Sequence, residues 1–187
     1  MNLDDNIPLS MELFLGTNRA SSTRETVTRI HQEMGDTVYR HLVALGLPPE
    51  TAEDVCQECF VRLFLALEGR QQIERPRAWL FKVAYNLALN QFKVSHREQR
   101  HFVPWIDNLP DEEHDLQPNP EQASLDRERH LRLRQALEML SPQQRQCLFL
   151  RCEGLRYREI AEVLGISVGT VSEFLRRAIN HLQRSGI

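Results

Sequence analysis

Four groupings of side chains in this chain have types and spacings suited to chemistry or recognition. Cys56 and Cys59 form a C-x-x-C, the spacing of zinc ligands and redox thiols. Asp54, Gln57 and Glu58 gather acids and an amide on one side of a helical repeat, a compact patch that would receive a basic partner. Arg75, Arg77, Lys82, Tyr85, Asn86, Asn90 and Lys93 interleave cations, amides and an aromatic ring. Rings stack on unpaired bases while cations neutralise phosphates, so this mixture suits single-stranded nucleic acid. Near the C-terminal end, Arg158, Thr170, Ser172, Glu173, Arg176 and Arg177 offer the donors and acceptors that read base edges in a duplex groove. There is no HExxH, nucleophile elbow or phosphate loop. No catalytic residue, bound metal or cofactor is therefore expected, and the chain is not expected to be an enzyme.

The last grouping is held by the most legible stretch, Leu155 to Leu182. Tyr157 to Leu164 places Ile160, Ala161 and Leu164 on one apolar face. Gly165 ends that helix, because glycine tolerates the left-handed backbone of a helix terminus. Ser167 caps the next helix, Val168 to His181, which buries Val171, Leu175, Ala178 and Leu182. This is a helix-turn-helix pattern, whose second helix would enter a major groove; a plain helical hairpin is the alternative.

The other groupings sit on two earlier helices. Ala52 to Leu67, with Thr51 as cap, turns Glu53, Asp54, Gln57, Glu58 and Arg62 outward and Val55, Cys56, Cys59, Phe60, Leu63, Phe64 and Leu67 inward. On that inner face the cysteines read as small buried hydrophobes rather than ligands, and Cys147 and Cys152 are read the same way. Pro76 to about Arg97 buries Leu80, Val83, Ala84, Leu87 and Ala88, with Phe81 and Phe92 beside the basic-aromatic side. Trp79 is read as structural, base stacking being the alternative. A further helix runs from Val27 to Leu45, and two more cover Gln122 to Leu140 and Gln143 to Glu153.

No strand pattern and no internal repeat is evident. Net charge is −3 over 187 residues, but the charge is partitioned: bases cluster in the middle and from Arg127 onward, acids in residues 107–126. The proline-punctuated stretch with Asp111, Glu112 and Glu113 reads as an extended acidic linker. No apolar run is long enough to span a bilayer and no leader pattern is present, so a cytoplasmic location is expected. The fold class expected is all-α, two small helical domains joined by the linker. The divisions are 1–26 as a flexible N-terminal extension, 27–100 as a first domain, 101–121 as linker and 122–187 as a helix-turn-helix domain.

With these elements placed, the chain resembles the extracytoplasmic-function sigma factors of the sigma-70 family. "AEDVCQECFVRLF" (Ala52 to Phe64) looks like region 2.2, and "RPRAWLFKVAYNLALNQFK" (Arg75 to Lys93) is similar to regions 2.3 and 2.4. Leu140 to Leu182 resembles region 4. The likeness implies that 27–100 is sigma region 2 and 122–187 sigma region 4. It further implies docking on core RNA polymerase, on the β′ clamp helices through Asp54, Gln57 and Glu58, with the β subunit as a further contact. Capture of an unpaired −10 strand would fall to Arg75, Arg77, Lys82, Tyr85, Asn86, Asn90 and Lys93. Duplex −35 recognition would fall to Arg158, Thr170, Ser172, Glu173, Arg176 and Arg177. The linker would thread toward the active-site and RNA-exit channel, and an anti-sigma factor is a possible further partner. Many relatives carry lysine and arginine where Ser172 and Phe174 stand, arginine at Tyr85 and aspartate at Asn90, so promoter preference is not legible. Two other functions compete: a helix-turn-helix regulator acting without polymerase, and a decoy that binds polymerase or an anti-sigma factor without recognising promoters.

Overall fold

A computed structural model of the chain describes residues 9–94 and 120–186, with side chains from Ser21 to Lys93 and from Glu128 to Gly186. Residues 1–8 and nearly all of the expected linker, 101–121, lie outside the described residues. Seven helices make up the described fold, with no strand among them: α1 (Leu9–Ala44), α2 (Pro49–Glu68), α3 (Pro76–Val94), α4 (Pro120–Glu138), α5 (Pro142–Cys152), α6 (Tyr157–Leu164) and α7 (Val168–Arg184).

The helix boundaries follow from local chemistry. The expected Thr51 cap is not used: α2 begins at Pro49, whose fixed φ suits a first helical position, and Thr51 lies inside the helix. Ser141 and Gln144 close a capping box on α5, with Ser141 Oγ accepting from the Gln144 N–H at 3.3 Å and Gln144 Oε1 accepting from the Ser141 N–H at 2.9 Å. Gly165 ends α6 at φ +66°, a conformation costly for any residue with a Cβ. Ser167 then caps α7, accepting from the Thr170 N–H at 3.0 Å.

One boundary differs from expectation by a wide margin. The extension expected over residues 1–26 leaves room for a short helix around Leu9 to Leu15; from Leu9 it is instead helical throughout and continuous with the rest of α1. No proline interrupts Leu9 to Ala44, and serine and threonine disfavour a helix only weakly. Where side chains are described, Ser21 Oγ donates to Glu25 at 3.3 Å and Thr26 Oγ1 to the Ser22 carbonyl at 3.0 Å. These i,i+4 contacts satisfy the hydroxyls within the helix.

A single apolar core runs across both expected domains. It joins Val38 and Leu42 of α1, Cys59 and Leu63 of α2, and Leu80 and Phe81 of α3 to Phe149 and Leu150 of α5, Ile160 of α6 and Leu175 of α7. Each fully buried large side chain contributes on the order of 1.5–3 kcal/mol. A satellite cluster of Leu137, Leu140 and Ala178 fastens α4 to α7. His41 is fully buried in the main core: its ring stacks on Phe149 at 5.1 Å between centroids and meets Phe81 edge-on at 5.1 Å. Neither His41 nitrogen has a hydrogen-bond partner among the described residues. Burial therefore holds its pKa down at about 3 and keeps the imidazole neutral.

Candidate nucleic-acid interface and partner face

The outer face of α2 carries Asp54, Gln57 and Glu58, all exposed. Glu58 pairs with Arg62 at 2.8 Å, one helical turn on. Val61 and Leu65 stand on the same stripe, 52% and 60% exposed. Those two apolar residues were missed from the sequence, although positions 54, 58, 61 and 65 repeat at helical spacing. Acid, amide and apolar surface together form a face suited to a protein partner.

Cys56 and Cys59 point the other way and are buried. Burial pushes their thiols up to about 11 and about 12, far from a reactive thiolate. The Cys56 thiol donates instead to the Gly35 carbonyl at 3.6 Å, tying α2 to α1. Cys147 is buried as expected, but Cys152 is exposed. It is the last residue of α5.

The seven residues assigned to strand capture do not form one free surface. Lys82, Asn86, Asn90 and Lys93 do share an exposed stripe of α3. Tyr85 is half-buried and lines a cavity of about 110 Å³ with Leu89, Phe92, Gln146 and Ile166. Phe81, expected beside the basic side, is fully buried. It lies four residues before Tyr85, on the flank of α3 that packs inward against His41 and Phe149. Arg75 and Arg77 are taken by acids of the C-terminal helices. Arg75 pairs with Glu159 at 3.1 Å, and Arg77 reaches the carboxylate of Glu153 at 3.8 Å and donates to its carbonyl oxygen. Glu153 and Glu159 were missed because nothing local in the sequence shows which module faces α3.

On α7, Thr170 Oγ1 shares a hydrogen bond of 2.8 Å with Ser167, so its hydroxyl belongs partly to the cap. Ser172, Arg176 and Arg177 are exposed, and Arg158 is exposed on α6. Glu173 holds two neighbouring arginines of α7: Arg177 at 2.6 Å, and Arg176 through two contacts at 2.9 and 3.0 Å. Those hydrogen bonds, Arg177's first and then Arg176's, lower the Glu173 pKa below the ordinary carboxylate value. The cations are thereby oriented on one face of the second helix of the helix-turn-helix.

A fold of helices throughout its described residues, closed by a capped helix-turn-helix and with an acidic-amide helix before it, is the class that this geometry defines. The sigma-70 region 2 family matches residues 30–98, and the sigma-70 region 4 family matches residues 130–182. The chain is 32% identical over 157 residues to the RNA polymerase sigma factor CnrH of Cupriavidus metallidurans, covering 77% of this chain and 81% of that one. It is 32% identical over 170 residues to the ECF RNA polymerase sigma factor SigE of Mycolicibacterium smegmatis, covering 90% of this chain. The chain belongs to the extracytoplasmic-function sigma factors of the sigma-70 family. It spans 63% of the length of SigE and 58% of BldN from Streptomyces coelicolor, a relative 30% identical to it. In fold it is similar to CnrH in complex with the cytosolic domain of CnrY, with a TM-score of 0.53 at 22% identity, covering 91% of this chain and 94% of that one. It is also similar to the sigma factor RpoE in complex with the anti-sigma factor NepR from Bartonella quintana, with a TM-score of 0.57 at 20% identity, covering 84% and 94%. No described helix is long and apolar enough to cross a membrane.

Proposed function

We propose that this chain is a promoter-specificity subunit: it binds core RNA polymerase, recognises −10 and −35 promoter elements, and supports strand opening at initiation. It acts in the cytoplasm, and the catalysis of RNA synthesis is the polymerase's own. The observation that carries this reading is the presence, in one chain, of an exposed acidic-amide face on α2 and a helix-turn-helix on α6 and α7. A regulator working alone would have no use for the first.

In this reading residues 27–100 are region 2 and 122–187 region 4. Asp54, Gln57 and Glu58 meet the β′ clamp helices, and Val61 and Leu65 extend that contact. The β subunit is the second polymerase contact. Lys82, Asn86, Asn90 and Lys93 take the unpaired −10 strand, with Arg75 and Arg77 at the entrance to the stripe. Arg158, Thr170, Ser172, Glu173, Arg176 and Arg177 face the −35 duplex. Because CnrH and RpoE are seen with CnrY and NepR, an anti-sigma factor is proposed as a further partner.

The test is association with core polymerase. Reversing Asp54 and Glu58 to lysine places like charge against a basic surface and should abolish binding. Folding should survive, since both side chains are exposed. A double variant that binds core polymerase as tightly as the parent would refute the docking face.

A further inference from the structure

The cavity beside Tyr85 contains a polar side chain that nothing in the fold satisfies. Gln146 of α5 lines it and is only 5% exposed. Its carboxamide oxygen and nitrogen are both buried with no hydrogen-bond partner among the described residues. Buried side-chain amides nearly always find partners, because an unpaired one forfeits its bonds to water. Around Gln146 the walls are largely apolar. They include Leu45 just beyond α1, Tyr85, Leu89 and Phe92 of α3, and Ile166 from the turn between α6 and α7, all of them half-buried. A mostly apolar hollow with one polar group set into it is the usual make-up of a small-molecule site.

Size, charge and shape narrow what could enter. The cavity measures about 110 Å³ and is partly open to solvent, so entry requires no rearrangement of the helices. An apolar cavity of about 150 Å³ takes up benzene, and the open side here leaves room for one six-membered ring with a short substituent. No charged residue lines the cavity among the described residues. An anion or cation inside would therefore be buried without a counter-charge, at a large cost. Tyr85 and Phe92, two helical turns apart on α3, supply aromatic surface for a ring. The Gln146 carboxamide carries an N–H donor next to a carbonyl acceptor. A ligand with the same pair, acceptor beside donor, would satisfy both at once.

We propose that this cavity is a binding site for a small neutral aromatic amide, its ring against Tyr85 and Phe92 and its amide paired with the carboxamide of Gln146. The site depends only on the side chains that meet between α3, α5 and the turn after α6, whatever the chain does at promoters.

The experiment titrates the full chain, labelled for NMR at its isoleucine methyl groups, with benzamide, acetophenone and benzoate. Benzamide should shift the Ile166 methyl signal saturably and leave that of Ile179, exposed on α7 and outside the lining, unmoved. Acetophenone keeps the ring and carbonyl but has no N–H, and it should bind no more tightly than benzamide although water holds it less strongly. Benzoate should bind at least roughly tenfold more weakly, because its charge would be buried unpaired. Gln146→Leu keeps the apolar bulk and removes the carboxamide. It should weaken benzamide roughly tenfold, the scale of one or two net hydrogen bonds, and acetophenone less. Leu89→Trp fills the cavity from its half-exposed wall and should abolish binding of both. If neither variant folds, the comparison of the three compounds on the parent decides alone. No saturable shift at Ile166, shifts spread evenly over the isoleucines, or benzoate binding as tightly as benzamide would each overturn the proposal. So would tighter binding of acetophenone than of benzamide, equal benzamide affinity in the parent and a folded Gln146→Leu, or undiminished binding by a folded Leu89→Trp.

Discussion

Acid should act on this protein through His41. The ring is fully buried between Phe81 and Phe149 and is held neutral, its pKa down at about 3 against an ordinary 6.5. A group whose pKa is depressed on folding leaves stability intact above its unfolded pKa. Stability falls with pH below that value, because only the unfolded chain takes up the proton. Each pH unit below 6.5 then costs roughly 1.4 kcal/mol, so at pH 5 His41 alone removes about 2 kcal/mol. That is a large share of the ~5–15 kcal/mol that holds a typical domain together. The assay is urea unfolding of the parent and of His41→Leu at pH 7.5 and pH 5. Leucine keeps an apolar side chain in the site and removes two unpartnered nitrogens, so the variant should be at least as stable at pH 7.5. Between the two pH values it should lose about 2 kcal/mol less than the parent. Equal losses in the two proteins would refute the buried, neutral histidine and the packing drawn around it.

Other outcomes follow from the remaining groups. Serine at Cys59 should cost roughly 1–3 kcal/mol by burying an unpaired hydroxyl, read from unfolding midpoints, and serine at Cys56 should cost less, because the Gly35 carbonyl that accepts from the thiol is at hand. In the native protein Cys152 should react with a thiol reagent ahead of the other three cysteines because it alone is exposed, and equally fast labelling of all four would contradict the buried placement of the others. Glu173→Gln should release Arg176 and Arg177, strengthening binding to duplex DNA and steepening its salt dependence by about one phosphate contact or more; an unchanged slope would show that the two arginines are already free to reach phosphate. Arg176→Ala should weaken binding to a −35 duplex, whereas Asn86→Ala should spare it and impair strand opening, with only partial rescue by a promoter carrying a mismatched −10 bubble. Equal loss of isolated duplex binding in both variants would contradict the division between the two DNA sites.

The parts of the fold legible in the sequence are those set by neighbours a few residues apart. Gly165 and Ser167 mark the turn between α6 and α7 because each acts on backbone groups within three or four positions. The inward and outward faces of α2 follow from helical periodicity, and the observed burial of Cys56 and Cys59 agrees with it. What periodicity does not carry is which module lies against which. Glu153 and Glu159 look like solvated acids until α3 brings Arg77 and Arg75 to them. His41 is unremarkable in sequence, because Phe149, more than a hundred residues away, supplies one face of its site. Phe81 was misread as lying beside the basic side because aromatics mixed with cations suit bases and cores alike. The start of α1 was harder to read for a different reason: Gly16, Asn18 and the run Ser21-Ser22-Thr23 are weak helix formers that interrupt any apolar stripe after Leu15, although none of them forbids a helix.

A promoter-specificity subunit must direct core polymerase to start sites. The most direct measurement is transcription in vitro with core RNA polymerase and fragments of the source genome, with start sites mapped. Starts should depend on the chain, share −10 and −35 sequences, and be lost with the Asp54 and Glu58 charge reversals. Binding of duplex fragments with no chain-dependent start would indicate a regulator acting without polymerase. Association with core polymerase that yields no start on any fragment would indicate a decoy, and either result would rule out a promoter-specificity subunit.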